Sequence, residues 1–241
     1  MYLNLARGNG LVKLSKSLGC LVLLLMVTAA VGCKSTGFTS TAAQFRVMNA
    51  SVEQPSLTVQ LTTTTLAASL AYPMATPYSA EVPGGYTVHI SPSGTTTNLI
   101  NQPVVFQNGA TYTFIAAESG FASPNLTPIL LTDDNTPPTS GQLKLRVVNA
   151  SPDVGNVDVY VVALTANFQN ATPVFTNVGF KQDAGYHSMT PGNYRLYFTA
   201  TGQKNILINT GILGFAAGQI RTVVVLDSAG GYTAAKLNDL N

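Results

Sequence analysis

The side chains best suited to chemistry in this chain are two aspartates and two histidines. Asp153 and Asp158 flank a turn, where two carboxylates and nearby carbonyl groups can hold a calcium ion. His89 and His187 lie 98 residues apart, whereas a zinc site needs three or four clustered ligands. The sequence therefore leaves Asp153 and Asp158 as a possible ligand or metal site, and it predicts no bound cofactor.

Both aspartates also have a structural interpretation. In the Ser-Pro-Asp turn, Asp153 would bond to the backbone, and Asp158 would be an outward, solvated residue of an alternating strand. No third acidic residue lies close by in sequence, which favours the structural interpretation. Asp133 and Asp134 are interpreted in the same way, as a solvated pair in a linker.

Motifs of the common enzyme classes are absent from the sequence. No Gly-x-Ser-x-Gly, His-Glu-x-x-His, P-loop or dinucleotide-binding motif occurs. The favoured prediction is therefore a protein that is not an enzyme. Because a Ser-His-Asp site can assemble from scattered residues, the alternative is an exported hydrolase with a dispersed site near Asp153, Asp158 and His187. His89 is expected to face solvent.

The elements that carry these residues belong to two copies of one unit. Residues 45–51 recur at 145–151, an offset of 100. Pro83-Gly84-Gly85-Tyr86 recurs as Pro191-Gly192-Asn193-Tyr194, and residues 109–113 recur at 218–222. Each copy has the size of a small domain. The predicted repeats are 43–132 and 142–241, joined by a linker at 133–141, and each is expected to fold separately.

Within the repeats, apolar residues alternate with polar ones, the pattern of half-buried strands. The second repeat has seven or eight strands, and the candidates are 143–149, 156–162, 173–178, 185–189, 193–200, 205–213, 220–227 and 232–237. Short strands at this spacing predict an all-β fold of two tandem immunoglobulin-like antiparallel β-sandwiches. Asn49, Ser51, Asn149 and Ser151 end the first strands, where their side chains are expected to bond the backbone and fix a corner.

The start of the chain has the pattern of an export signal. Three basic residues precede an uncharged run of 16 residues at 17–32, short of the about 20 that a membrane-spanning helix needs. Ala30-Val31-Gly32-Cys33 resembles the bacterial lipobox, which predicts a lipoprotein signal peptide at 1–33 with lipidation at Cys33. An uncleaved anchor and ordinary signal cleavage are the alternatives. Residues 34–42 are predicted to be a flexible tether.

This export segment also accounts for the basic charge. Removing Arg7, Lys13 and Lys16 from the 12 basic residues leaves 9 against 10 acidic ones, a net charge of −1 instead of +2. No basic stripe of a nucleic-acid-binding protein remains. The expected location is the cell envelope, at the outer membrane or cell surface, with a membrane contact through the N-terminal lipid.

One string of residues resembles a known family. Residues 145–153, Leu-Arg-Val-Val-Asn-Ala-Ser-Pro-Asp, followed by Val157-Asp158-Val159-Tyr160, resemble the opening of the bacterial envelope family called domain of unknown function 4397. The first repeat departs from it, since Leu57-Thr58-Val59-Gln60 replaces Val-Asp-Val-Tyr. The resemblance implies a tandem β-sandwich lipoprotein without an established activity, and it supplies no catalytic residues.

The expected role is therefore non-catalytic binding or structural support in the envelope. The candidate partners are an envelope polysaccharide or another envelope protein. Tyr160, Tyr186 and Tyr197 are candidates for aromatic contacts on one face, although tyrosines on exposed strands commonly pair across strands. The chain has no tryptophan, which disfavours a sugar-stacking platform.

Overall fold

The alternating residues form strands throughout both repeats. The computed structural model describes residues 41–120 and 123–240. The first repeat contains β1 (Ala43–Ala50), β2 (Ser56–Leu61), β3 (Thr64–Ala71), β4 (Ser79–Glu81), β5 (Gly84–Pro92), β6 (Ile100–Phe106), β7 (Thr111–Glu118) and β8 (Leu126–Asp133). The second contains β9 (Leu143–Asn149), β10 (Val157–Ala163), β11 (Phe175–Val178), β12 (Asp183–Met189), β13 (Gly192–Ala200), β14 (Ile206–Phe215), β15 (Ile220–Ser228) and β16 (Gly231–Leu240).

All eight strands predicted for the second repeat are present, with bounds shifted by a few residues at most. A short 3-10 helix, η1 (Phe168–Asn170), lies between β10 and β11. Matched glycines precede β7 and β15: Gly109 and Gly218 have φ angles of 69° and 80°, a left-handed conformation that glycine adopts without steric cost. Within the described residues, no helix is long and apolar enough to span a membrane.

The two repeats have the same sheet topology, which confirms the prediction of two β-sandwiches. Each repeat has an inner sheet, in the order β4-β1-β7-β8 or β12-β9-β15-β16, and an outer sheet, in the order β3-β2-β5-β6 or β11-β10-β13-β14. The sheets are mainly antiparallel, but β1 pairs with β7 and β9 with β15 in parallel. The predicted antiparallel sandwiches therefore also contain one parallel pair of strands in each repeat.

Each sandwich has its own apolar core between its two sheets. Phe45, Val59 and Phe114 belong to the core of the first repeat, and Leu145, Val159 and Phe198 belong to that of the second. Alternate residues of the inner strands point to the opposite face. Every residue of β7 after Thr111 is nevertheless buried, so a further layer must cover that opposite face.

The covering layer is the inner sheet of the other repeat. A third apolar cluster joins Met48, Ile115 and Leu131 of the first repeat to Val148 and Val224 of the second. The two inner sheets therefore face each other, and the described residues of both repeats form one compact unit. The sequence did not indicate this contact, because alternation within a strand does not identify what covers its second face. Separate folding of each repeat stays a prediction.

The contact between repeats also corrects the expectation for Asp133. This residue ends β8, is 6% exposed, and its Oδ1 lies 2.5 Å from Nη2 of Arg146. It is a buried ion-pair partner and not half of a solvated linker pair. Asp134 is exposed and contacts Lys144, as expected for a linker residue.

Candidate functional site

The corners after β1 and β9 are built from the same side chains. Asn49 Nδ2 donates to the carbonyl oxygens of Gln54 and Leu70, at 2.8 and 3.1 Å. Asn49 Oδ1 accepts from the amide of Ser51 at 3.1 Å. In the second repeat, Asn149 Nδ2 donates to the carbonyl oxygens of Gly155 and Val178, at 2.9 and 3.1 Å. This confirms the prediction that the recurring Asn and Ser residues fix the corners.

Each corner serine also holds a carboxylate. Ser51 Oγ donates to Glu118 Oε1 at 3.1 Å, and Ser151 Oγ donates to Asp227 Oδ1. Glu118 and Asp227 lie 109 residues apart, the same offset that relates Gly109 to Gly218. The sequence prediction did not single out these two carboxylates, although their matched positions at the ends of β7 and β15 were a usable signal.

The two corners meet at a cleft of about 650 Å³ between the repeats. Four carboxylate residues line it, Glu53 and Glu118 from the first repeat and Asp153 and Asp227 from the second, together with Tyr232 and the glycine-containing hairpin between β15 and β16. Among the described residues that line this cleft, none is basic. The cleft therefore offers mainly hydrogen-bond acceptors and one aromatic ring.

The electrostatics of the cleft centre on Asp227. The pKa of Asp227 is raised to about 6, mainly by burial and to a smaller extent by the nearby carboxylates of Asp153 and Glu118, against the lowering effect of the Ser151 hydroxyl. Tyr72 donates its hydroxyl to the carbonyl oxygen of Asp227 at 2.5 Å. Burial and the negative charges of Asp227 and Glu118 raise the pKa of Tyr72 to about 12, so this phenol remains a donor at neutral pH.

The structure separates Asp153 from Asp158. Asp153 lines the cleft, and its corner is closed by Ser151, whose Oγ accepts from the amide of Val154 at 3.1 Å. Asp158 lies on β10 in the outer sheet and is 5% exposed, with its two carboxylate oxygens accepting from the amides of Asn177 and Gly202, both at 2.8 Å. The expectation of a solvated Asp158 was wrong, because the chain after β10 covers this face.

Neither the metal nor the hydrolase hypothesis gains support from the geometry. In the part of the chain that the structure describes, no group of three or more His, Cys, Asp or Glu residues could hold a metal ion. His187 is exposed on β12 with its ring centroid 4.5 Å from that of Phe175. His89 is half-buried on β5 with Nδ1 2.6 Å from Asn101 Oδ1, while its neighbours Val88 and Ile90 are buried.

The three candidate tyrosines do not share a face. Tyr160 and Tyr197 pair across β10 and β13, and Phe168 of η1 packs against both rings. Tyr186 lies on β12 in the inner sheet, where its ring stacks on the guanidinium of Arg146 at 4.5 Å. Tyr160 is only 4% exposed, so this cluster is a small core of the second repeat and not a binding platform. Cys33 lies outside the described residues.

The fold and its corners define a two-repeat, all-β protein, and comparison with known proteins identifies its family. The model of the family named domain of unknown function (DUF4397) matches residues 43–160, from the start of β1 to Tyr160 in β10. The chain belongs to this family. No curated protein matches it.

Solved structures with some similarity include the C-terminal domain of AlgF from P. aeruginosa, at 15% identity and a TM-score of 0.28, covering 42% of this chain and 99% of that one. Another is a family 26 carbohydrate-binding module of Amy13K from Eubacterium rectale in complex with maltoheptaose, at 10% identity and a TM-score of 0.27, covering 82% and 98%. These scores are too low to transfer a ligand or a role to this chain.

Proposed function

We propose that this protein is an exported, lipid-anchored protein of the bacterial cell envelope that binds a polysaccharide, without catalysis, in the cleft between its two corners. The lipobox-like residues before Cys33 support the anchor. The observation that supports binding is the cleft itself, where carboxylates from both repeats surround an open volume beside the ring of Tyr232.

The chemistry of the cleft suits a sugar chain rich in hydroxyl or amino groups. Ionised carboxylates are hydrogen-bond acceptors only, so they pair with the hydroxyl and ammonium donors of such a ligand. The Tyr232 hydroxyl donates to the carbonyl oxygen of Asp153 at 3.2 Å, which fixes the ring at the cleft wall. An aromatic ring fixed in this way provides an apolar surface for a sugar ring.

The same geometry supports a non-catalytic role. A general acid-base pair needs groups within reach of each other and of a reacting atom. Ser151 Oγ and the amide of Glu53 already bond to the carboxylates of Asp227 and Glu118, respectively. Asp158 and His187 lie on different sheets and do not line this cleft.

Two experiments test this proposal. For the anchor, Cys33→Ser should abolish acyl labelling and release the protein from membranes; equal membrane retention by the variant would favour an uncleaved helix. For the ligand, titration calorimetry with chitosan oligosaccharides and neutral glucans should show binding to the intact protein that Glu53→Gln weakens. The matched control Glu81→Gln, on β4 outside the cleft lining, should bind as the intact protein does. Equal binding by both variants would exclude the cleft.

A further inference from the structure

The contact between the inner sheets contains two copies of one charge network. Arg46 of the first repeat pairs with Asp239 of the second, and Arg146 of the second pairs with Asp133 of the first. Arg46 and Arg146 are 3% and 0% exposed, so both pairs are buried. Each repeat therefore contributes one arginine and one carboxylate, and the two pairs cross the interface in opposite directions.

The reciprocity extends to every bond of the two arginines across the interface. Arg46 Nη1 donates to the carbonyl oxygen of Asn238 at 2.8 Å, and Arg146 Nη1 donates to that of Thr132 at 3.3 Å. Asn238 precedes Asp239 on β16 just as Thr132 precedes Asp133 on β8. The interface is thus isologous in the sense used for symmetric dimers, with the same patch on each partner.

Each carboxylate is held ready by its own repeat. Asp133 Oδ2 accepts from Thr113 Oγ1 at 2.5 Å and from the Tyr78 hydroxyl at 2.7 Å. Asp239 Oδ2 accepts from Thr222 Oγ1 at 2.6 Å and from the Tyr186 hydroxyl at 3.0 Å. Because acceptor and orienting groups belong to one repeat, each face presents its carboxylate already oriented.

The protonation states suit this network. Burial and the adjacent carboxylates raise the pKa values of Tyr78 and Tyr186, so both phenols donate at neutral pH. Burial alone lowers the pKa of Arg146, but Asp133 and the other acidic neighbours raise it above its ordinary value. An unrelated apolar surface docked on either face would bury these charges unpaired, which is strongly unfavourable, so it is a poor substitute for the complementary face.

The segment that joins the two repeats is mostly exposed and has an exposed ion pair. The segment between β8 and β9 consists of residues 134–142, most of them exposed. Its ion pair, Lys144 Nζ to Asp134 Oδ2 at 2.6 Å, includes an aspartate side chain that is 52% exposed. Exposed pairs contribute little to stability, so the buried inner sheets provide the recognition between repeats.

We propose that each inner sheet also binds the complementary inner sheet of a second copy of this chain. The first repeat of one molecule docks on the second repeat of another, and the two chains form a repeat-exchanged dimer. Each interface in that dimer has the same two buried ion pairs and the same apolar cluster as the interface within one chain.

The first test uses the full chain with a protease site inserted between Pro138 and Thr139. After folding and cleavage, the two halves should elute together at the volume expected for a single chain, because cutting both linkers of an exchanged dimer leaves two separate pairs of repeats. Separation of the halves at physiological salt would overturn the proposal. In this cut protein, Arg146→Met should weaken the association by at least about tenfold, because Asp133 remains buried without its cation. The matched control Lys144→Met, two residues away, should change it by less than about threefold.

The second test detects exchange between chains. Two full-length versions are co-expressed, one with a C-terminal affinity tag and the other with an epitope before Thr41, and both are then cleaved in the linker. Capture of the tagged second repeat should recover the epitope-bearing first repeat of the other version. Recovery of only the untagged first repeat from the same chain would show that repeats of different molecules do not pair, and would overturn the exchanged dimer.

Discussion

The inner and outer sheets of the two repeats differ in how far they have kept the same residues. On the inner sheets, Arg46 matches Arg146, Thr113 matches Thr222 and Asp133 matches Asp239, each with an equivalent partner. On the outer sheets, Gln60 pairs with His89 where the second repeat pairs Tyr160 with Tyr197. The comparison shows that the two repeats have the same residues on the inner sheets, where they contact each other, and different residues on the outer sheets, which lie away from that contact.

The outer-sheet difference has a structural cause. In the second repeat, the segment between β10 and β11 contains η1, and Phe168 covers Tyr160 and Tyr197. In the first repeat, only Thr62 and Thr63 connect β2 to β3, and a connection of two residues is too short to cover the equivalent face. A longer connection therefore converts an outward strand face into a small second core, with Lys204 Nζ 4.2 Å from the centre of the Tyr160 ring.

The largest expected effect is at the inner sheets. Arg46→Met and Arg146→Met should each lower the free energy of unfolding by about 3–5 kcal/mol, because each leaves a buried carboxylate without its cation. Urea unfolding of the full chain measures the loss. Similar losses in the two variants would support equivalent roles for the two arginines. A loss below about 1 kcal/mol, as for an exposed ion pair, would contradict them.

A smaller effect is expected where the outer sheets diverge. Asp158→Ala removes a charged acceptor from two backbone amides and should cost about 2–4 kcal/mol, since hydrogen bonds to charged groups contribute about 1.5–3 kcal/mol each and do not add fully. Thr58 occupies the matched position and makes one exposed bond to the carbonyl oxygen of Ala68. Thr58→Ala should therefore cost less than about 1 kcal/mol. Thermal unfolding of both variants measures these losses of stability. Equal losses in Asp158→Ala and Thr58→Ala would contradict the prediction.

The eight strands of the second repeat and both corners could be predicted from the sequence, because alternation, turn residues and the Asn-x-Ser pattern are local signals. The interface between the two repeats could not be predicted from such local signals. Arg146 lies in an alternating strand, where a polar residue is ordinarily solvated, and its partner Asp133 is the last residue of a different alternating strand. Burial of Asp158 was missed for a similar reason, since the two amides that donate to it, those of Asn177 and Gly202, belong to segments distant in sequence.

The corners provide a pH-dependent comparison. The pKa of Asp227 is raised to about 6 in the folded protein, above the ordinary value of 3.8, so the folded state binds this proton more tightly than the unfolded state does. Asp227 therefore lowers stability as the pH rises from about 4 through 6. As the pH rises over that range, the melting temperature of Asp227→Asn should increase relative to that of the intact protein, by roughly a few degrees. If the difference in melting temperature between the variant and the intact protein is the same at pH 4 and pH 7, the pKa of Asp227 is not raised by folding.

The smallest effect is expected at the linker. The Lys144 side chain donates to Asp134, which together with the Thr136 hydroxyl lowers the pKa of Asp134 to about 2. Such a pair stabilises the fold above the ordinary pKa, and the contribution is lost as the pH falls towards 2. Because Asp134 is exposed, Asp134→Asn should cost no more than about 1 kcal/mol at pH 7. Calorimetric unfolding at pH 7 and pH 3 measures this loss of stability. A loss as large as that of Arg146→Met would show that the Lys144–Asp134 pair is not a weak, exposed one.

The central claim is that the buried ion pairs couple the two repeats, and a double-mutant cycle between Arg146 and Asp133 tests it most directly. Unfolding free energies of the intact chain, Arg146→Met, Asp133→Asn and the double variant give the coupling energy between residues of different repeats. The account predicts a coupling of at least about 1.5 kcal/mol, as measured for close charge pairs at protein interfaces. Additive costs within about 0.5 kcal/mol, as for independent sites, would contradict it.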